Sequence, residues 1–224
     1  KADILFYDAA RGWRHTLTAG PAYDLSPAWS PDGSQIAFVS DRDGGLQVFV
    51  MDASGNNVRR VTPSGHAFEH PRWTASGKRL VLMARAATLP DIYTVGVDEY
   101  SFELVSEQSW DTRDTMTKLG VYTPLWAGPR SPVGTAYLTV VNNGGVWELF
   151  LGPEEGQPGE RLAVLGRLQA QDTPVSWSPD GQRIAFVSSL DGQADLYLID
   201  ASPGSIPVRL TNNAAYESSL AWRP

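Results

Sequence analysis

Ser26-Pro27-Ala28-Trp29-Ser30-Pro31-Asp32-Gly33-Ser34-Gln35-Ile36-Ala37-Phe38-Val39-Ser40 decides the fold, because the stretch comes back late in the chain. The second copy is Val175-Ser176-Trp177-Ser178-Pro179-Asp180-Gly181-Gln182-Arg183-Ile184-Ala185-Phe186-Val187-Ser188. Each copy reads as a strand ending in Trp, a four-residue turn, and a β-branched and aromatic strand. In the turn, Pro presets φ, Asp caps with its own side chain, and Gly supplies a left-handed φ. Hairpins of this kind, recurring about every 45 residues, signal an array of blades.

Working outward, spacing sets the phase of the repeat. Thr18 to Trp29, Thr62 to Trp73 and Thr211 to Trp222 are each eleven residues apart. Counting four strands per unit from the Trp, first strands end at Trp29, Trp73, Trp126, Trp177 and Trp222. Second strands are expected at 36–40, 80–84, 136–140 and 184–188, and third strands at 4–7, 47–51, 92–97, 146–151 and 196–199. Fourth strands end near Thr18, Thr62, Ser106, Leu165 and Thr211. One second strand is missing. The fold class is therefore all-β, a β-propeller of four-stranded antiparallel blades. It is read as one domain with repeats at about 19–62, 63–106, 107–166 and 167–211. A fifth, closing blade is built from 212–224 plus 1–18, with strands 4–7 and 14–18 expected beside Trp222.

Composition narrows the function. The chain has 224 residues, no Cys and a formal net charge of −7. Thiol catalysis and thiolate metal sites are excluded. The acidic balance argues against a nucleic-acid partner and for a basic patch on whatever binds. Apolar runs are strand-length, so no membrane span is expected. With Lys at position 1 and no signal-type opening, the sequence reads as a mature or excised segment.

The middle units depart from the pattern. Trp73-Thr74-Ala75-Ser76-Gly77 keeps the Gly and loses Pro and Asp. The link from Ser106 to Trp126 is nine residues longer than the eleven-residue links and carries Trp110, Asp111, Arg113, Asp114, Met116, Lys118 and Tyr122. Loops inserted into repeat scaffolds commonly form the binding face.

Trp-Ser-Pro-Asp-Gly, an Ile-Ala-Phe-Val-Ser strand, an Asp-Gly turn, an aromatic third strand and a closing Leu-Thr together resemble the TolB-like (WD-like) β-propeller repeat. The likeness is close over residues 26–62 and 175–211 and looser between them. It implies a periplasmic or extracellular protein- or peptide-binding scaffold that is not itself an enzyme. The alternative is an enzyme-associated propeller: the resemblance implies the substrate-gating domain of a serine peptidase, and the acids ahead of each Trp leave open a glycosidase working with carboxylates.

Candidate binding residues sit just ahead of each Trp: Tyr23 and Asp24, Phe68 and Glu69, Asp172 beside Gln171, and Tyr216 and Glu217. Trp110, Asp111, Asp114 and Tyr122 of the long link extend the set. Repeat symmetry would arrange the acids as a ring, able to hold a partner's Lys or Arg or, as an alternative to having no cofactor, Ca²⁺. Capping of local turns is the competing structural role. The Trp side chains are expected to pack between blades with the indole N–H bonded to a neighbouring loop. Asp41-Arg42-Asp43-Gly44 and Asp191-Gly192 lack the ligand alternation of a calcium loop and read as turns. His66 and His70 sit in a turn-rich segment and read as surface residues, with no metal assigned. No Gly-x-Ser-x-Gly elbow is present. Self-association through the incomplete closing blade is a further expectation.

Overall fold

The protein is described by a computed structural model over residues 1–84, 91–99, 101–106, 131–133, 136–153, 159–167, 175–212 and 220–224. Every described element is a strand, and the chain divides into two compact units.

Unit 1 comprises Lys1–Tyr122 with Arg223–Pro224. Its strands are β1 (Leu5–Asp8), β2 (Trp13–Thr16), β3 (Asp24–Trp29), β4 (Gln35–Ser40), β5 (Gln47–Asp52), β6 (Arg59–Arg60), β7 (Phe68–Trp73), β8 (Arg79–Ala84), β9 (Asp91–Gly96) and β10 (Phe102–Ser106). They form a two-stranded sheet β1-β2 and two four-stranded antiparallel meanders, β3-β4-β5-β6 and β7-β8-β9-β10. Unit 2 is Thr123–Trp222. It holds β11 (Tyr137–Asn143), β12 (Val146–Gly152), β13 (Glu160–Gly166), β14 (Val175–Trp177), β15 (Arg183–Ser188), β16 (Asp195–Asp200) and β17 (Val208–Arg209). These make a three-stranded sheet β11-β12-β13 and a four-stranded meander β14-β15-β16-β17. Each of the five described sheets has third and fourth strands where spacing placed them. The first strand ending at Trp126 lies outside the described residues. So do residues 213–219 ahead of Trp222, and with them the expected pairing of strands 4–7 and 14–18 beside that Trp.

The second strands β4, β8 and β15 are apolar on both faces because they are buried on both sides. In β4, Ile36 and Phe38 join Ile4, Phe49 and Met51 in one buried cluster. The alternate residues Ala37 and Val39 join Phe68, Trp73, Leu80 and Leu82 in another. A period-2 strand thus feeds two cores, and a continuous apolar run follows in place of alternation. In unit 2 the equivalent Ile184 and Phe186 pack with Leu138, Leu149 and Leu165. Full burial of one such side chain contributes about 1.5–3 kcal/mol.

Repeat-specific hydrogen bonds fix the register. Trp73 Nε1 donates to the Ala28 carbonyl at 3.0 Å, and Trp222 Nε1 to the Ser176 carbonyl at 2.9 Å. The acceptor in both cases is the residue before the preceding Trp. The indole therefore reaches a neighbouring first strand rather than a loop, a correction to the sequence expectation. The closing Thr of the fourth strands is the second stitch. Ile4, Val48 and Leu196 donate their N–H groups to Thr18, Thr62 and Thr211 Oγ1 at 2.8, 3.0 and 2.8 Å.

Candidate functional site

The turns come first, because they account for two of the chain's acids. In Ser30–Ser34, Gly33 takes φ 66° and its N–H donates to the Ser30 carbonyl at 2.9 Å. Asp32 Oδ1 accepts from Ser30 Oγ at 2.6 Å and from the Ser34 N–H at 3.1 Å. Asp180 repeats this, accepting from Ser178 Oγ at 2.6 Å and the Gln182 N–H at 3.0 Å. The Ser30 hydroxyl, then the Ser34 N–H and hydroxyl, hold the Asp32 carboxyl down at about 2. The Ser178 hydroxyl, followed by the Gln182 N–H, lowers that of Asp180 from the usual range. In the middle blade Ser76 replaces the Asp, its Oγ 3.1 Å from Thr74 Oγ1.

The residues ahead of each Trp divide by position. Asp24 pairs with Ser40 across the β3–β4 ladder, and Phe68 pairs with Ala84 across β7–β8. Asp24 and Phe68 are each five residues before their Trp, whereas Glu69 is four before. Glu69 is therefore equivalent to Leu25, and the two acids point to opposite faces of the repeat, because one residue of offset flips a strand side chain. Asp24 and Glu69 do not belong to one ring.

Asp24 is 3% exposed, and its Oδ1 accepts from Arg42 Nη2 at 2.9 Å. The Arg42 guanidinium lies 5.1 and 4.9 Å from the Phe38 and Phe49 ring centroids, so the pair is seated on an aromatic floor. Such a carboxylate is a structural ion-pair member. Phe68 is fully buried at the same repeat position. Its ring packs edge-on against Tyr93 and Phe102, at 5.8 and 5.5 Å, and 5.9 Å from His66. Placement in the core corrects its assignment as a binding-surface residue. Tyr23 is 50% exposed, with its backbone N–H held by Asp41 Oδ1 at 2.8 Å. Trp110, Asp111, Asp114, Tyr122, Asp172, Tyr216 and Glu217 lie outside the described residues.

Sequence reasoning missed two features. One is a bulge. Ser26 and His70, each three residues before their Trp, take left-handed φ of 50° and 52°. The ladders shift register there, between Leu25 and Ala28 and between Glu69 and Arg72. Both precede a Pro, Pro27 and Pro71, which disfavours the right-handed helical region for the residue before it. Ser26-Pro27 and His70-Pro71 were the available signal. Non-Gly residues held in this region store backbone strain, about 1–3 kcal/mol each, and bulges commonly re-aim side chains near sites.

The other is a buried charge network in the last blade. Asp195 is fully buried, accepts from Arg209 Nη2, and accepts from Thr211 Oγ1 at 3.2 Å. Tyr197 donates its hydroxyl to Asp191 Oδ2 at 2.5 Å. Desolvation, aided by that bond, pushes the Tyr197 phenol up to about 12. Arg209 reaches Asp191 at 3.7 Å, as Arg60 reaches Asp43 at 3.6 Å. Each Asp-Gly turn thus anchors an Arg of its own fourth strand. The two stretches are turns as expected, with Gly44 N–H to Asp41 O at 2.9 Å and Gly192 N–H to Ser189 O at 3.1 Å. Among the described residues, no three His, Asp or Glu side chains are grouped to hold a metal ion.

Comparison with known proteins follows from this geometry. A family model described as the TolB beta propeller domain matches residues 1–123. The "Uncharacterized peptidase YuxL" of Bacillus subtilis (strain 168) is 30% identical over 82 residues, covering 36% of this chain and 12% of that protein. "Dipeptidyl-peptidase 5" of Porphyromonas endodontalis is 21% identical over 235 residues, 100% of this chain and 31% of that one. The chain spans less than a third of the length of either relative. Among solved structures, TolB from Acinetobacter baumannii is similar with a TM-score of 0.45 at 19% identity, over 92% of this chain and 48% of that chain.

Proposed function

The chain belongs to the TolB β-propeller domain family, and from that premise we propose that it is a non-catalytic, extracytoplasmic binding module for a protein or peptide. One observation carries this reading. Asp24 is buried against Arg42, and Phe68 fills the equivalent place in the next blade. Acid–base hydrolysis of glycosides needs two carboxylates facing each other across a cleft, roughly 5–10 Å apart. An acid locked to Arg42 and a neighbouring phenyl ring do not supply them. The binding surface we propose keeps Tyr23, which is half exposed, with Glu69, Trp110, Asp111, Asp114, Tyr122, Asp172, Tyr216 and Glu217, and drops Asp24 and Phe68. It works without a cofactor and favours a basic partner, since the chain carries a net charge of −7.

A second reading is favoured by the relatives named as peptidases. There the propeller would hold peptide for a catalytic part outside this sequence. Both readings make the chain a peptide-handling surface without its own chemistry. The test is capture of a library of basic peptides by the purified chain, with mass spectrometry of the recovered material. Intact peptides, weakened by 0.5 M salt and lost in Trp110→Ala/Tyr122→Ala with the melting temperature little changed, are the expected result. Cleaved peptides, or capture indifferent to the double substitution, would overturn the proposal.

A further inference from the structure

An Asn or Asp followed by Gly is a chemically weak point in a chain, since Gly leaves its own amide nitrogen unhindered toward the preceding side chain. The sequence holds one Asn-Gly pair, Asn143-Gly144, and four Asp-Gly pairs, at Asp32, Asp43, Asp180 and Asp191. The structure treats the two kinds differently. In each Asp-Gly pair the glycine N–H is engaged within its turn. Gly33 donates to the Ser30 carbonyl at 2.9 Å, Gly44 to that of Asp41 at 2.9 Å, Gly181 to that of Ser178 at 2.9 Å and Gly192 to that of Ser189 at 3.1 Å. Asp32 and Asp180 are further held in the ionised form by the hydroxyl and N–H groups around them, and a carboxylate is a poor electrophile. Asn143-Gly144 has neither protection. Gly144 and Gly145 are the two-residue connection from β11 to β12, with φ of 62° and 90°, the signs of a type I′ turn. Beyond immediate chain neighbours, no described atom lies within 4 Å of the Cβ position of either glycine, so the tip stands in open space. Among the described residues, the Gly144 N–H meets no acceptor. Asn143 is exposed, and its Nδ2 donates to Glu148 Oε2 at a long 3.4 Å.

We propose that Asn143 is a site of spontaneous deamidation, passing through a succinimide to aspartate and isoaspartate, and that its conversion loosens the β11–β12 hairpin. The Gly144 nitrogen gives up its proton and attacks Asn143 Cγ. A C–N bond forms, the bond from Cγ to Nδ2 breaks, and the amino group leaves as ammonia with the proton. Water then opens the succinimide at one of its two carbonyls. Cleavage between the ring nitrogen and Cγ gives aspartate. Cleavage between the ring nitrogen and the backbone carbonyl carbon gives isoaspartate, whose main chain runs through the former side chain. Water enters, ammonia leaves, and nothing is oxidised or reduced. Either product places a carboxylate where an amide had faced Glu148. Glu148 is already matched in charge, its Oε1 accepting from Arg161 Nη1 at 2.7 Å, so the new carboxylate meets repulsion there. Isoaspartate also adds a methylene to the main chain beside a turn whose length sets the pairing of Asn143 with Val146.

The hairpin lies apart from the proposed binding surface, and the test uses the whole folded chain beside free peptides copying residues 140–148 and the four Asp-Gly turns. All are aged in mildly alkaline buffer, and aspartyl and isoaspartyl forms are separated and identified by mass spectrometry. Asn143 in the folded chain should convert within about tenfold of its peptide rate, since an exposed tip opens at little cost. The four Asp-Gly pairs should be slowed more than about tenfold against their own peptides, and denaturant should abolish that protection. Asn143→Gln, which cannot close the same ring, should remove the early release of ammonia. Hydrogen exchange in the aged chain should quicken in β11 and β12 and stay unchanged in β14–β17. Asn143→Asp carries the charge without the added methylene and should reproduce part of that loosening. Asn143 slowed as much as the Asp-Gly pairs, ammonia release undiminished in Asn143→Gln, or unaltered exchange in the converted hairpin would each overturn the proposal.

Discussion

The corner around Asp24 and the corner around Phe68 occupy one repeat position and are built from opposite materials. At the first, a carboxylate and the Arg42 guanidinium sit on two phenyl rings. At the second, the ring of Phe68 is enclosed by Tyr93, Phe102 and His66. Both sit at the start of a first strand, opposite Ser40 and Ala84 of the next strand. What differs is the consequence of damage. An apolar plug fails by leaving a cavity, whereas an ion pair fails by stranding a buried charge. The lesson is that an acid at a repeat position is not a site until its partner is known.

The comparison breaks most visibly at Phe68. Phe68→Ala should cost about 3–5 kcal/mol, read as a shift in the denaturation midpoint with unchanged slope. Arg42→Ala should cost about 2–3 kcal/mol, because Asp24 remains buried without its partner while Arg42 itself is partly exposed. Replacing both charges, Asp24→Leu with Arg42→Met, should recover most of that loss, since apolar replacement of a buried pair is often near neutral. Trp73→Phe removes the bond to Ala28 and keeps most of the packing, and should cost about 1–2 kcal/mol.

The smallest effect concerns acid. Asp32 has a folded pKa near 2 against a usual 3.8. A depressed folded pKa stabilises above the unfolded value, and this is lost as pH falls from about 4 to about 2. Asp32→Asn should therefore flatten the acid limb of the stability profile in that window and leave the neutral-pH comparison of the two corners unchanged. An acid limb of unaltered slope would show that the turn hydrogen bonds do not favour the ionised form.

Much of the fold was legible because local chemistry and burial agreed. Pro31-Asp32-Gly33 and Pro179-Asp180-Gly181 specify a turn by φ and by side-chain capping, and the apolar runs at 36–39 and 184–187 match strands covered on both faces. The indole hydrogen bonds of Trp73 and Trp222 were legible in kind, with the partner strand mistaken for a loop. The acids were not legible as a group, for a physical reason. Asp24 and Glu69 sit five and four residues before their Trp, and with a period of two that single residue sends their side chains to opposite faces of the strand. Arg42 was hidden inside a stretch whose neighbours all signal a turn. Its partner lies 18 residues earlier, a contact the hairpin creates and no local pattern announces.

The most direct test of the structural role assigned to Asp24 is a double-mutant cycle between Asp24→Ala and Arg42→Ala, with peptide capture measured on the same four proteins. The account predicts that each single change destabilises, that the double loses less than the sum by at least about 1 kcal/mol, and that capture is unchanged in every folded variant. Additive, near-zero losses together with abolished capture in Asp24→Ala would contradict it, and would return Asp24 to the binding surface.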